Sequence, residues 1–133
     1  MKINSLSELN DFAASFAAGL RAPQVVLLYG ELGAGKTEFV RSVIRSLCGA
    51  ETIVPSPTFT MIQTYDSPVG RIAHFDLYRL ESADELAELG LEDYLADSIV
   101  FIEWPDKGPR LPGAIKIRIE NMEDASRKIS LIP

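Results

Sequence analysis

The chain has one cysteine, Cys48, so no disulfide can form within it. That excludes the cysteine framework of small secreted folds and fits a reducing cytosol. Cys48 is expected as a buried thiol on the inner side of a helix. No apolar run reaches the roughly 18 residues that a membrane span needs. Met1–Ser5 lacks the long apolar region of a secretory leader, so a cytoplasmic protein without membrane contact is expected. The only asparagines are Asn4, Asn10 and Asn121, and none begins the Asn-Lys-x-Asp that reads guanine. Bases are missing from a long stretch: eight carboxylates lie from Glu81 to Glu103, then Asp106, before Lys107. With a net charge of −6, such a surface repels nucleic acid unless a partner mediates. The same stretch offers no basic lid of the kind a small-molecule kinase closes over phosphates.

What is present is enough for one domain spanning 1–133, since 47% of the residues are hydrophobic. The most informative eight are Gly30-Glu31-Leu32-Gly33-Ala34-Gly35-Lys36-Thr37, which fit G-x-x-x-x-G-K-[ST]. Gln24–Tyr29 before them is apolar and β-branched, and reads as a buried strand. After them Phe39, Val40, Val43, Ile44 and Leu47 recur at helical spacing. Strand, glycine loop and helix together present backbone N–H groups and a helix N-terminus to a polyphosphate. The nucleotide-binding set is therefore Glu31, Leu32, Gly33, Ala34, Gly35, Lys36, Thr37 and Glu38. Lys36 meets the β/γ-phosphates, and the Thr37 hydroxyl suits Mg²⁺.

Around this loop the pattern predicts an α/β fold with a mixed sheet. Ser5–Glu8 reads as a capping box, and Leu6, Leu9, Phe12, Ala13, Phe16, Ala17 and Leu20 form one apolar stripe ended by Pro23. Pro55 and Pro57 exclude helix from Val54–Thr58. Phe59–Tyr65 and Arg71–Phe75 read as a hairpin around Asp66–Gly70. Ser82–Glu85 is a second capping box, opening a short helix that Gly90 ends, with a further turn over Leu91–Leu95. Ser98–Glu103 is a buried strand. Ala114–Glu120 alternates as a half-exposed one, and Arg127–Ile132 closes the chain.

Two carboxylates end apolar strands: Asp76 after Ile72–Phe75, and Glu103 after Ile99–Ile102. Ligands of open α/β sheets lie beyond the carboxyl ends of the strands, which places both near the nucleotide. Thr58 follows a rigid Pro-Ser-Pro segment. It reads as an ordinary strand-entry threonine, or as a hydroxyl presented to the γ-phosphate or Mg²⁺. His74, the only histidine, shares a strand side with Asp76 and is either simply hydrogen-bonded or turned towards the site. Trp104 is a hydrophobic wedge or a partner contact. Arg79 meets a phosphate or a carboxylate.

Four segments in this order resemble one family. They are the P-loop, Pro55-Ser56-Pro57-Thr58-Phe59, His74-Phe75-Asp76-Leu77-Tyr78-Arg79, and Glu103-Trp104-Pro105. The chain looks like a member of the TsaE family, formerly YjeE, of small bacterial P-loop ATPases. The resemblance implies a P-loop NTPase-like three-layer sandwich that binds and hydrolyses ATP with Mg²⁺. It implies a role in forming N6-threonylcarbamoyladenosine at position 37 of tRNAs reading ANN codons, with TsaB and TsaD as partners and tRNA met only through the complex. It assigns Thr37 and Glu103 as metal ligands and Asp76 as a Walker-B-like or water-organising residue. Thr58 falls in a switch-I-like segment, so the catalytic set is Lys36, Thr58 and Asp76. The neighbourhoods of Ser5–Ser7 and Ser126–Arg127 flank the base. Many relatives carry Thr or Ser where this chain has Glu38, and an acid there weakens anion affinity unless it turns outward. A small-molecule P-loop kinase and a nucleotide-gated binding module are the competing readings.

Overall fold

The computed structural model describes residues 1–132. In chain order the elements are β1 (Lys2–Ile3), α1 (Leu6–Ala17), β2 (Gln24–Tyr29), α2 (Lys36–Cys48), β3 (Ile62–Ser67), β4 (Gly70–Asp76), α3 (Ala83–Glu88), α4 (Leu91–Asp97), β5 (Ile99–Glu103), β6 (Ile115–Asn121) and β7 (Arg127–Ile132). One seven-stranded sheet has the order β1-β7-β6-β2-β5-β4-β3. β2 runs parallel to both β5 and β6, and β4 runs parallel to β5. β3, β7 and β1 add antiparallel edges. The mixed sheet follows from the chain itself: the β3–β4 and β6–β7 connections are too short for a parallel crossover.

Helices cover both faces, which makes three layers. On one face Leu9, Ala13 and Ala17 of α1 and Phe39, Val43 and Ile44 of α2 pack on Val26, Leu28, Ile99, Phe101 and Ile117. The ring of Phe39 is fully buried, 5.9 Å from Phe12 and 5.5 Å from Phe16. Burying such a ring contributes about 1.5–3 kcal/mol. On the other face Leu86 and Leu91, from the short α3 and α4, close over Leu27, Phe75, Val100 and Ile102. The central strands are buried on both sides, as continuous apolar runs require.

Several details differ from the sequence pattern. Leu6 is 67% exposed and lies outside the stripe, because the first turn of α1 overhangs a cleft beside Gly35. In the first capping box the Ser5 hydroxyl accepts from Glu8 N–H, but Glu8 accepts the N–H of Asn4 rather than that of Ser5. In the second, Glu85 reaches back to the N–H groups of Ser82 and Glu81. β3 starts at Ile62, not Phe59. Met61 N–H closes on the Pro57 carbonyl at 2.6 Å and Met61 has φ 66°, so Pro57–Met61 is a turn and Phe59 projects 79% exposed. The hairpin is tighter than its turn residues suggest, with β3 running to Ser67 and β4 starting at Gly70. Cys48 is only half-buried; its Sγ–H donates to the Asp66 carbonyl, and burial raises its pKa. β1 was not anticipated, being two residues pinned to β7.

Candidate functional site

The loop between β2 and α2 curls as its glycines allow. Gly30 and Gly35 have φ of 154° and 104°. A Cβ on Gly30 would stand 2.5 Å from the Ile119 carbonyl oxygen, and one on Gly35 would overlap the Arg127 guanidinium. Only glycine fits either position. The loop ends on Lys36, the first residue of α2, so the helix N-terminus points its N–H groups into the cradle.

Lys36 is 5% exposed. Its Nζ donates to the carbonyls of Gly30 and Glu31 and lies 3.9 Å from the centre of the Trp104 ring. Burial lowers its pKa, while the carboxylates of Glu103 and Asp76 pull the other way. The ammonium is thus held near the cradle by weak acceptors and a π-face, each replaceable by a stronger anion. Trp104 has φ 57°, which bends the chain after β5 and lays the ring under Lys36 and against Tyr78, 5.0 Å away.

The two strand-end acids are neighbours. In the parallel β4–β5 pair Asp76 is in register with Glu103. Glu103 is 2% exposed and accepts the Thr37 hydroxyl at 2.8 and 2.9 Å and His74 Nε2 at 2.6 Å. Asp76 is 4% exposed; it accepts the Thr58 hydroxyl at 3.1 Å and the Tyr78 N–H at 2.9 Å. Ser56 adds a 2.7 Å hydroxyl contact to Thr58. A cleft of about 170 Å³ is lined by Leu32 to Glu38 together with Thr58, Asp76, Glu103 and Trp104. Lys36, Thr37, Thr58, Asp76 and Glu103 therefore converge on one space at the carboxyl ends of the strands.

Residues that sequence reasoning left open are now placed. Glu38 is paired with Arg127, at 2.9 Å, at the border of the cleft. Arg79 stacks on the Phe59 ring at 4.6 Å; it is no part of the cleft lining and makes no ion pair among the described residues. His74 lies fully buried beneath Glu103, outside the cleft lining. The contacts missed from sequence were His74 to Glu103, Arg127 to Glu38 and Lys36 to Trp104. Only the first had a signal, the shared strand side of His74 and Asp76. Ser5, Leu6 and Arg127 do come together, with Ile3, Gly35 and Glu38, around a second cleft of about 200 Å³ that adjoins the first.

The donor set fits a metal–nucleotide pair. A hydroxyl and a carboxylate, both oxygen donors, meet at the foot of a cradle of N–H groups beside one ammonium, which is the chemistry that Mg²⁺ and phosphates accept. No helix among the described residues is long and apolar enough to cross a membrane.

Comparison with known proteins identifies relatives of the whole chain. The family model described as threonylcarbamoyl adenosine biosynthesis protein TsaE matches residues 3–129. A Rickettsia bellii protein, tRNA threonylcarbamoyladenosine biosynthesis protein TsaE, is 48% identical over 104 residues, 78% of this chain and 72% of the relative. The protein of that name from Rickettsia prowazekii is 39% identical over 131 residues, 97% of this chain and 91% of the relative. Among solved structures, a Bacillus protein called YdiB superposes with a TM-score of 0.74 at 27% identity, covering 98% of this chain and 82% of that one. The fold is that of P-loop NTPases, and the chain belongs to the TsaE family.

Proposed function

We propose that this chain binds ATP with Mg²⁺ and hydrolyses it as a subunit of the machinery that forms N6-threonylcarbamoyladenosine at position 37 of tRNAs reading ANN codons, acting with TsaB and TsaD. The observation that carries the ATPase part is the Thr37–Glu103 hydrogen bond at 2.8 Å, set beside Asp76 at the mouth of the glycine cradle. Family membership supports the pathway.

Each residue has a task. The N–H groups of the loop and of the start of α2 receive the phosphates. Lys36 leaves the Gly30 and Glu31 carbonyls for the β/γ-phosphates, exchanging neutral acceptors for charged ones. Thr37 and Glu103 would hold Mg²⁺, which when bound neutralises phosphate charge. Asp76 accepts a proton or orients the attacking water. Thr58, tied to Asp76 by its hydroxyl, couples the Pro55–Met61 segment to that acid. The adjoining cleft at Ser5, Leu6 and Arg127 shares Gly35 and Glu38 with the phosphate cleft and takes the base. The net charge of −6 and the basic-poor surface after Arg79 support tRNA contact through the complex rather than through this chain.

Reconstitution tests the reading. TsaB, TsaD, tRNA, threonine, bicarbonate and ATP are combined with and without the chain, and modified tRNA is measured over many turnovers. Sustained modification only with the chain, lost in Lys36→Ala, is expected. Equal turnover without it would remove the proposed role, and phosphate transfer to a small metabolite would make the protein a kinase.

A further inference from the structure

We propose that His74 is the positioning residue of the metal site: its Nε2–H clamps Oε2 of Glu103 and so holds the carboxylate with both of its oxygens against the Thr37 hydroxyl. The inference rests on the reading of Glu103 as a Mg²⁺ ligand.

His74 sits on β4, held by ladders to β3 on one side and β5 on the other. It is 0% exposed, and its neighbours on that face of the sheet include Ile72 and Phe101. An imidazole in such surroundings is costly unless it is hydrogen-bonded, and an apolar side chain would fill the place more cheaply. It makes one side-chain hydrogen bond. Nε2 lies 2.6 Å from Glu103 Oε2, while Nδ1 is buried without a partner. An N–H on Nδ1 would be orphaned, so the ring carries its proton on Nε2 and donates it to the carboxylate. Nothing at Nδ1 explains a histidine here; the Glu103 contact does.

The clamp has a direction. Glu103 is reached by two side-chain donors, Thr37 and His74. Thr37 is a proposed metal ligand and must reorient its hydroxyl lone pairs when the cation arrives. His74 comes from below, is no part of the cleft lining, and has no reason to move. It therefore fixes the rotamer of Glu103 in both states, as outer partners orient metal ligands elsewhere. Because it does not border the cleft, it is not placed to take a proton from substrate.

The test measures ADP affinity by calorimetry with and without saturating Mg²⁺, in wild type, His74→Leu, His74→Gln and Glu103→Gln. Gln can place an N–H donor where Nε2 was; Leu cannot. In His74→Leu, the gain in ADP affinity conferred by Mg²⁺ is expected to shrink about tenfold or more, with ADP affinity in the absence of Mg²⁺ unchanged and melting temperature not lowered. His74→Gln is expected to keep most of that gain. Nitrogen NMR of the imidazole without nucleotide is expected to show the proton on Nε2. If Glu103→Gln weakens the Mg²⁺ effect and His74→Leu does not, the clamp is wrong while the metal site stands. If Leu and Gln lose the effect equally, or the proton resides on Nδ1, the clamp is also wrong. If Glu103→Gln leaves the Mg²⁺ effect intact, the metal assignment itself fails.

Discussion

Arg127 of β7 and Glu38 of α2 meet at 2.9 Å across 89 positions of the chain. Glu38 follows Thr37 directly, so an unpaired carboxylate there would repel a bound phosphate. Arg127 pairs that charge and brings a positive one beside Gly35. Both side chains are partly exposed, at 31% and 49%, so the pair adds at most about 1 kcal/mol to folding. Its larger consequence is for the ligand. Arg127→Ala is expected to weaken ATP binding about fivefold or more, equivalent to about 1 kcal/mol. Adding Glu38→Gln to that variant is expected to recover part of the loss. A calorimetric double-mutant cycle measures this coupling; additive effects would show that Glu38 does not act on the phosphates.

Lys36→Ala is expected to lower ATP affinity by about two orders of magnitude, since it leaves phosphate charge unpaired in a partly buried site. The fold is expected to survive, because removing a buried ammonium also removes its desolvation penalty. Binding and melting curves on the same sample separate the two effects. Unchanged ATP affinity in a folded variant would refute the phosphate assignment.

Trp104, the only tryptophan, carries Lys36 on its face at 3.9 Å. If phosphates draw the ammonium away, indole emission changes. Mg²⁺–ATP is therefore expected to shift the emission of wild type, and ADP to do so differently. In Lys36→Ala the spectrum is expected to start near the nucleotide-bound one and respond weakly. Emission indifferent to saturating nucleotide would show that Lys36 stays on the ring.

Glu103→Ala and Asp76→Ala are expected to fail in different ways, although their side chains stand in register on adjacent strands. Loss of Glu103 removes the acceptor of both Thr37 and His74, and is expected to weaken the Mg²⁺ dependence of binding. Loss of Asp76 releases Thr58 and is expected to reduce turnover about a hundredfold or more with little change in affinity. Steady-state kinetics across Mg²⁺ concentrations distinguishes them. Identical profiles would contradict the division of labour.

Asp124 gives the pH dependence of folding a direction. Hydrogen bonds from Lys2 and Ser126 hold its carboxyl well below the ordinary aspartate value, and those from Ser98 and Arg71 lower that of Asp97. A depressed folded-state value means stability that is present above the unfolded aspartate pKa of about 4 and lost as pH falls through the folded one. The melting temperature of wild type is expected to drop more steeply between pH 5 and pH 2 than that of Asp124→Asn, which already lacks the contribution at pH 7. Parallel curves would leave Asp124 without a role in acid unfolding.

Much of this was legible in the chain. The P-loop was readable because its glycines, Lys36 and Thr37 act through backbone shape and local spacing, which sequence states directly. The sheet's core strands were readable because burial on both faces demands unbroken apolar runs such as Ile99–Ile102. That Asp76 and Glu103 border the cleft at the P-loop was readable from a topological rule, since both end strands of an open α/β sheet.

What the chain did not disclose is what depends on register and on long-range partners. β1 is two residues long and exists only because β7 is there to pair with it. Phe59 carries strand propensity, yet Thr58 is tied to Asp76 and the backbone turns, so propensity yields to a tertiary bond. The pairing of Glu38 depends on an arginine of β7, 89 positions further along the chain. The bond from His74 to Glu103 depends on β4 and β5 lying side by side in a particular register. Local sequence determined the cradle, the elements and the polar side chains carried at their ends, because those follow from neighbouring residues. Only the packed sheet decided which groups meet, because a distance of 2.6 Å between residues far apart in the chain is a property of strand order and alignment.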